Sequence, residues 1–245
     1  MIITGFNPLN TQNCTLNESR IDLWQFSLEH ELNIAEQILN EDEKARGNRF
    51  YFSRHKRRFT TARATLRIIL ARYLNTAPER LELIYNSHGK PSVINSQKLQ
   101  FNLSHTEDMA ILAVGKGFPM GVDIEKYSFR PYEGIAKNSF SAQEFAEFQK
   151  VPSVLKTAVF FHVWSQKEAF IKACGLGLSY PTQEFNVPTT IPTKQLVDDP
   201  LHNTTWQLRS FMPQLAYSGA LCHHPTIREI RHGVVKLHDN VSLQF

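Results

Sequence analysis

The sequence predicts an α+β fold in two halves, each containing one long helix and several strands. Residues 56–74 carry apolar side chains at helical spacing, and residues 153–173 form a second long helical segment. Short apolar segments follow each helix and are separated by glycines and prolines, as expected for strands joined by turns. We therefore place the two halves at residues 1–119 and 120–245.

The first half is predicted to be a basic helix packed against several strands. One face of residues 56–74 is apolar, the arginines fall largely elsewhere, and Asn75 marks the end of the helix. The apolar face consists of Phe59, Ala62, Leu66, Ile69, Leu70 and Tyr73. The expected strands are residues 81–85, 98–105, 109–115 and 121–126.

The second half begins with the signal of a helix start. Ser141 and Glu144 in SAQE have the spacing of a capping box, in which each side chain bonds the other residue's backbone. The long helix over residues 153–173 lies between Pro152 and Gly175, which are typical of helix boundaries. Strands are expected at EFNVP, TWQLRSF and AYSGALC, and a surface loop at residues 188–204.

The composition is that of a folded protein without a membrane span or a secretion signal. Hydrophobic residues make up 42% of the 245 residues and charged residues 20%, so a core is possible and disorder is not expected. No apolar run reaches the ~18 residues of a membrane helix, and the N-terminus lacks a basic start. Three cysteines without a C-x-x-C motif fit a reduced, cytoplasmic protein.

Positive charge is concentrated in residues 44–72, although the net charge is only +4. This segment contains no acidic residue. Its basic residues are Lys44, Arg46, Arg49, Arg54, Lys56, Arg57, Arg58, Arg63, Arg67 and Arg72. A segment of one sign attracts anions, so nucleic acid, a phosphorylated small molecule and an acidic protein are all candidate partners.

Two carboxylates share one face of the predicted strand GVDIEK at residues 121–126. Successive side chains of a strand point to opposite faces, so Asp123 and Glu125 lie together and Val122 and Ile124 lie on the other face. A solvated edge strand is the ordinary explanation. The alternative is a hard cation such as Mg²⁺, which is often held by one or two carboxylates plus substrate phosphates.

The second long helix carries a pattern that bears on this choice. Trp164, Glu168 and Lys172 are spaced by four residues and lie along one helix face. Taken alone, they are an ordinary ion pair beside a core tryptophan. Combined with Asp123 and Glu125, they predict a cage of three carboxylates for Mg²⁺, with a lysine that faces an anion such as a pyrophosphate.

Four sequence segments then identify a family by resemblance. In chain order, HGKP (88–91), FNLSHT (101–106), GVDIE (121–125) and WSQKEAFIK (164–172) resemble motifs of the 4′-phosphopantetheinyl transferases of the surfactin-synthetase-activating (Sfp-like) type. The resemblance covers about residues 40–182. It implies two similar subdomains, each a long helix packed on a small sheet, with the active site in the cleft between them.

The resemblance also implies a reaction and its participants. The 4′-phosphopantetheine arm of coenzyme A is transferred to a serine of an apo carrier protein, which is an acyl, peptidyl or aryl carrier, and adenosine 3′,5′-bisphosphate is released. The reaction depends on Mg²⁺, for which Mn²⁺ can substitute. The sequence does not identify the pathway, so fatty-acid, polyketide and non-ribosomal peptide synthesis all stay open.

Roles follow for individual residues by the same resemblance. Asp123, Glu125 and Glu168 match the metal ligands, and Glu168 is also counted as catalytic. Lys172 matches the lysine that contacts the pyrophosphate and assists the leaving group, and Glu144 matches the carboxylate proposed as general base. The residues expected to bind coenzyme A are Lys44, Arg46, Arg58, Lys90, Ser104, His105 and Lys172.

Several of these assignments have simpler alternatives. Glu144 also completes the capping box, and the two roles do not exclude each other. A single histidine such as His105 is often a structural residue, and only its position in FNLSHT favours phosphate binding. Arg63 and Arg67 fit a solvated helix face equally well.

Three rival functions have less support. A nucleic-acid-binding protein would use residues 44–72 but would leave the carboxylates unexplained. Another phosphoryl-transfer enzyme would need a phosphate-binding loop or a kinase motif, and neither occurs. A family member without catalysis would not need all three carboxylates. We expect a cytoplasmic enzyme without a nucleic-acid or membrane partner, and the resemblance implies that it is a monomer.

Overall fold

The computed structural model describes residues 4–8, 14–129 and 131–235 and confirms the α+β fold class. The first half contains β1 (Asn7–Pro8), β2 (Arg20–Ser27), α1 (Ala35–Ile38), α2 (Glu41–Asn48), α3 (Ser53–Leu74), β3 (Leu83–Tyr85), β4 (Pro91–Val93), β5 (Leu99–Thr106) and β6 (Met109–Lys116). The second half contains β7 (Gly121–Lys126), α4 (Tyr132–Ser139), α5 (Ala142–Gln149), α6 (Ser153–Cys174), β8 (Lys194–Asp199), β9 (Thr204–Phe211), β10 (Tyr217–His223) and β11 (Glu229–Val234). Among the described residues, no helix is both long and apolar enough to cross a membrane.

Two main sheets form the centre of the molecule. The first contains five strands in the order β1-β11-β2-β6-β5, and the second contains four antiparallel strands in the order β7-β10-β9-β8. Strand β11 runs parallel to both of its neighbours, β1 and β2. The last described strand therefore completes the first sheet, although it follows the whole second half in sequence. The boundary between residues 119 and 120 stays a prediction.

The first sheet is covered on both faces. On one side, Leu112 of β6 packs in a cluster with Leu66 of α3. On the other side, Ile111 packs with Val122 of β7 and Leu221 of β10. Seven of the eight residues of β6 are consequently buried, as is typical of a strand enclosed between two layers. The order of layers is α3, first sheet, second sheet, α6.

Helix α6 covers the outer face of the second sheet and approaches β7 closely. Phe170 of α6 lies in the same core cluster as Leu208 and Cys222 of that sheet. At Gly121, a Cβ atom would lie only 2.0 Å from the carbonyl oxygen of Ala169, so a larger residue would separate strand and helix. This contact sets the distance between the two acidic motifs.

Both long helices agree with the sequence prediction, whereas two predictions in the second half are wrong. Helix α3 ends at Asn75 and α6 ends at Gly175, each with a positive φ, of 49° and 80° respectively. The expected strand EFNVP instead follows a 3₁₀ turn at residues 182–184 and forms no ladder. The expected loop 188–204 contains β8, an edge strand whose outer side can carry polar residues.

Candidate active site

Strand β7 and helix α6 bring the two acidic motifs into one cluster. The Asp123 carboxylate is 3% exposed, and its Oδ1 accepts a hydrogen bond from Lys172 Nζ at 2.6 Å. The Trp164 Nε1 donates to Glu125 Oε1 at 3.2 Å. The predicted common face of Asp123 and Glu125 thus points toward α6, while the other face of β7 packs on the first sheet.

The FNLSHT segment, which lies on β5, joins the same cluster. The Ser104 hydroxyl donates to Asp123 Oδ1 at 2.9 Å and accepts from Lys172 Nζ at 3.0 Å. Burial, together with the positive charges of Lys172 and Arg58, lowers the pKa of the next residue, His105. A neutral imidazole at pH 7 donates through one ring nitrogen and accepts through the other.

Burial and mutual repulsion govern the protonation of the glutamates. Burial, followed by the charge of Asp123, raises the pKa of Glu125 from 4.5 to about 7. The same two causes raise the pKa of Glu168. Burial is the larger cause of both shifts, and the repulsion from Asp123 is the part that a bound cation would relieve.

The donor set fits a magnesium ion that shares its coordination with a ligand. Asp123 Oδ2 is buried and has no hydrogen-bond partner. Asp123, Glu125 and Glu168 do not all three bring a carboxylate oxygen within 4.8 Å of one another; within the described ranges, Cys174, Asp199 and His202 are the group that meets this criterion. An oxygen-only, open set of this kind suits Mg²⁺ bound by one or two carboxylates plus phosphate oxygens.

The other basic residues predicted to bind coenzyme A have protein partners. Arg58 donates from Nε to Asp108 Oδ1 at 2.9 Å and from a second guanidinium nitrogen to Glu107. Both acceptors lie in the turn between β5 and β6, so this turn holds the Arg58 side chain. Lys44 pairs with Glu41 at 3.0 Å, and the Arg46 guanidinium lies 5.3 Å from the centre of the Phe59 ring. Their contacts with coenzyme A stay predictions.

Lys90 of HGKP fixes the end of α6. Its Nζ donates to the carbonyl oxygens of Met120, Lys172 and Ala173 at 2.5–3.1 Å. Burial lowers its pKa to about 8. These three carbonyls accept all three ammonium hydrogens, so Lys90 positions the helix that carries Lys172. Its contact with a coenzyme A phosphate stays a prediction.

Glu144 performs the capping role that the sequence predicts. Its Oε2 accepts from Ser141 N at 2.7 Å and lies 2.9 Å from Lys167 Nζ, and its Oε1 accepts from Val187 N at 2.7 Å. The residue is 1% exposed. Both oxygens are therefore engaged, and the general-base role of Glu144 stays a prediction without a solvent-facing oxygen to support it.

Part of the basic stretch is structural, so the interpretation of Arg63 and Arg67 as a solvated face is wrong. Arg67 is fully buried and bonds Glu43 at 2.7 Å, as well as two backbone carbonyls. Arg63 is also buried and donates to the Tyr85 hydroxyl at 2.7 Å. The Asn40–Glu43 capping box was the available signal for an ordered acidic partner.

An aromatic cavity beside Glu125 was not predicted. Its volume is about 500 Å³. Its walls include Glu125, Lys126, Tyr127, Phe129, Tyr132, Phe160, Phe161 and Trp164. Because these residues come from β7 and the segment after it, from α4 and from α6, no local pattern in the sequence marks them as one surface.

Comparisons with known proteins agree with this architecture. A family model described as the 4′-phosphopantetheinyl transferase superfamily matches residues 119–220. A second, described as the N-terminal part of a 4′-phosphopantetheinyl transferase, matches residues 22–116. Together they cover both long helices and most of both sheets, but not β1 and β11.

Individual relatives extend the match. The 4′-phosphopantetheinyl transferase HetI of Nostoc sp. is 38% identical over 176 residues, which cover 68% of this chain and 73% of the relative. The transferase psf-1 of Bacillus pumilus is 31% identical over 74% of this chain and 77% of its own length. For the transferase Sfp of Bacillus subtilis, the identity is 27% over 78% of this chain and 85% of the relative.

The family models and the relatives thus define an enzyme of group transfer, and the chain belongs to the 4′-phosphopantetheinyl transferase superfamily. Its relatives place it with the Sfp-like type. The family, the fold class and the enzyme class predicted from the sequence are confirmed.

Proposed function

We propose that this enzyme moves the 4′-phosphopantetheine arm of coenzyme A onto a serine of an apo acyl, peptidyl or aryl carrier protein. Adenosine 3′,5′-bisphosphate is the second product. The observation that carries this proposal is the joint cluster of Asp123 and Lys172, 2.6 Å apart, with Glu125 and Glu168 beside them. Carboxylates and a lysine at one point suit a metal-bound pyrophosphate.

The three carboxylates Asp123, Glu125 and Glu168 hold Mg²⁺, or Mn²⁺ in its place. When bound, the metal neutralises charge on the pyrophosphate and stabilises the leaving group. The unpartnered Oδ2 of Asp123 and the raised pKa values of the two glutamates support this assignment. Asp123 is held toward the cluster by the Ser104 hydroxyl.

Lys172 supplies the cation that faces the departing phosphate. Its ammonium group is 28% exposed and is oriented by Asp123 and Ser104. Since Lys90 fixes the carbonyls of Lys172 and Ala173, the backbone that carries this ammonium is anchored. Preorganised charge of this kind is typically the largest contribution to such transfers.

Glu168, besides its role as a metal ligand, is a second candidate for the base that accepts the serine proton. It belongs to the acidic cluster, where burial and the charge of Asp123 raise its pKa in the metal-free protein. Glu144, in contrast, already accepts hydrogen bonds on both oxygens. The aromatic cavity beside Glu125 offers an apolar surface for the pantetheine arm.

The partners follow from this chemistry. Coenzyme A is the co-substrate, and its phosphates meet His105, Ser104 and the basic residues near the start of α3. The enzyme acts as a monomer in the cytoplasm, and neither nucleic acid nor a membrane takes part. Carrier proteins of fatty-acid, polyketide and non-ribosomal peptide synthesis are the candidate acceptors.

Mass spectrometry of apo carrier proteins incubated with enzyme, coenzyme A and Mg²⁺ tests the proposal. We expect the mass of one phosphopantetheine on a carrier serine. The substitutions Asp123→Ala and Glu168→Ala should abolish this gain while circular dichroism stays unchanged, because a metal ligand is lost. Asp198→Ala, an exposed acidic residue on β8, is the matched control.

Two outcomes contradict the proposal. The first is the absence of modification across carriers from all three pathways. The second is full activity of both variants at ordinary Mg²⁺ concentrations, which would remove the acidic cluster from the reaction.

A further inference from the structure

A sulfur, an oxygen and a nitrogen ligand converge outside the proposed active site. Cys174 ends α6, Asp199 ends β8, and His202 lies in the turn that leads to β9. Cys174 Sγ is 3.1 Å from Asp199 Oδ2, and His202 Nδ1 is 2.7 Å from the same oxygen. The three ligand atoms all lie within 4.8 Å of one another.

The surrounding residues hold the Asp199 carboxylate in one orientation. Asp199 is 1% exposed. Its Oδ1 accepts from the Tyr180 hydroxyl at 2.7 Å and from the backbone nitrogens of Leu201 and His202 at 3.0 and 3.2 Å. Oδ2 is thereby directed toward the thiol and the imidazole, and it also accepts from Trp206 Nε1 at 3.4 Å. Hydrogen bonds of this kind orient the ligands of metal sites and fix their geometry.

The chemistry of the three side chains selects the type of ion. Thiolate, imidazole and carboxylate together are the donors of zinc, with bonds of about 2.0–2.3 Å. Magnesium prefers oxygen ligands only, so it does not compete for a site with a cysteine. The His202 side chain is 43% exposed, which gives an ion access from solvent and leaves room for a fourth ligand such as water.

We propose that Cys174, Asp199 and His202 form a binding site for Zn²⁺, separate from the acidic cluster of Asp123, Glu125 and Glu168. Binding replaces the thiol proton of Cys174, which passes to solvent, and the neutral imidazole coordinates through Nδ1. The ligands move apart only slightly, because two atoms bound to one zinc ion are roughly 3–4 Å apart at the bond lengths above.

The bound ion links two parts of the fold that bear on the active site. It joins the β8–β9 turn to the last residue of α6, two positions after Lys172. Lys90 already anchors the carbonyls of Lys172 and Ala173 at this helix end. Zinc therefore adds a second anchor, and a ligand that binds only the folded state stabilises that state.

The experiment uses the untagged full chain with Asp123→Ala in the background and excess Mg²⁺ present, so that the acidic cluster does not bind the probe. Zn²⁺ is titrated by calorimetry, and Co²⁺ is used as a spectroscopic substitute. We expect one equivalent of Zn²⁺, a higher unfolding temperature with that equivalent, and a thiolate-to-cobalt charge-transfer band.

Variants and matched controls assign the signal to these residues. Cys174→Ser should remove the charge-transfer band, and His202→Ala, at an exposed position, should weaken Zn²⁺ binding at least tenfold without unfolding the protein. Cys14→Ser and His224→Ala replace the same residue types outside the cluster and should behave like the parent. Circular dichroism of each variant checks the fold.

The proposal is overturned if the parent binds no Zn²⁺, or if His202→Ala binds it as tightly as the parent does. A cobalt band that persists in Cys174→Ser would likewise place the ion elsewhere. In each case Asp199 would serve only to hold the β8–β9 turn. Since pantetheinylation is not the readout, these results are independent of the proposed function.

Discussion

Replacing Glu125 by glutamine should stabilise the metal-free protein at alkaline pH. Glutamine retains the oxygen that accepts from Trp164 Nε1 and removes only the negative charge. A carboxyl whose pKa is higher in the folded than in the unfolded state favours folding below its unfolded pKa. That advantage falls as the pH rises from 4.5 and is gone above about 7.

The magnitude follows from the same shift. A tenfold change in a protonation equilibrium corresponds to about 1.4 kcal/mol, so a pKa of about 7 against 4.5 corresponds to about 3.5 kcal/mol at most. Solvent screening of this partly exposed group reduces the expected gain of Glu125→Gln to about 1–3 kcal/mol at pH 8. At pH 4, where the carboxyl is protonated in both states, the gain should vanish.

Urea unfolding with a chelator present, at pH 4 and pH 8, measures this difference. Glu133→Gln is the control, because Glu133 is exposed and pairs with Lys156, so its replacement should give no gain. Mg²⁺ should stabilise the parent more at pH 8 than at pH 5.5, since protons and metal compete for Glu125. Equal stability of parent and Glu125→Gln at pH 8 would refute this account of the cluster.

Three further substitutions test individual residues. Lys172→Ala should lower turnover about 10²-fold or more, measured by mass spectrometry of the carrier, and unchanged turnover would remove Lys172 from the mechanism. Arg67→Ala should lower the free energy of unfolding by about 3–5 kcal/mol, because it leaves Glu43 buried without its partner. The control Arg46→Ala, at an exposed position, should lower it by less than about 1 kcal/mol. Equal losses of the two variants in urea unfolding would contradict this prediction. Glu144→Gln should destabilise the fold but leave the pH dependence of kcat unchanged, and loss of the acidic limb of the pH profile would instead make Glu144 the base.

The sequence predicted the elements whose signals are local. Helices α3 and α6 have continuous apolar faces and clear ends, at Asn75 and Gly175, and both were placed within three residues of their bounds. The strand GVDIEK and its alternation were also correct. Since Asp123 and Lys172 lie on adjacent elements, their meeting needed only the packing of one helix on one strand.

Predictions that depend on distant partners were less successful. For Arg67, a solvated position was considered as favourable as any other, because its burial depends on partners that are distant in sequence. Glu43 lies on α2, and the two carbonyl acceptors lie in the turn at residues 78–81. Residues 188–204 were assigned to a loop, because β8 is an edge strand without apolar alternation in its sequence. It is a strand only through its hydrogen bonds with β9. The buried carboxylate of Glu144 likewise depends on Lys167 and Val187, which are remote in sequence from the capping box.

The position of β11 makes the two halves of the chain inseparable. A fragment that ends near residue 119 would expose the hydrogen-bonding edge of β2, and the complementary fragment would carry an unpaired parallel strand. Arg231 of β11 reaches Asp22 of β2 at 2.6 Å, so the fragments would also separate a buried ion pair. The first sheet can therefore close only after β11, at Glu229–Val234, has been synthesised.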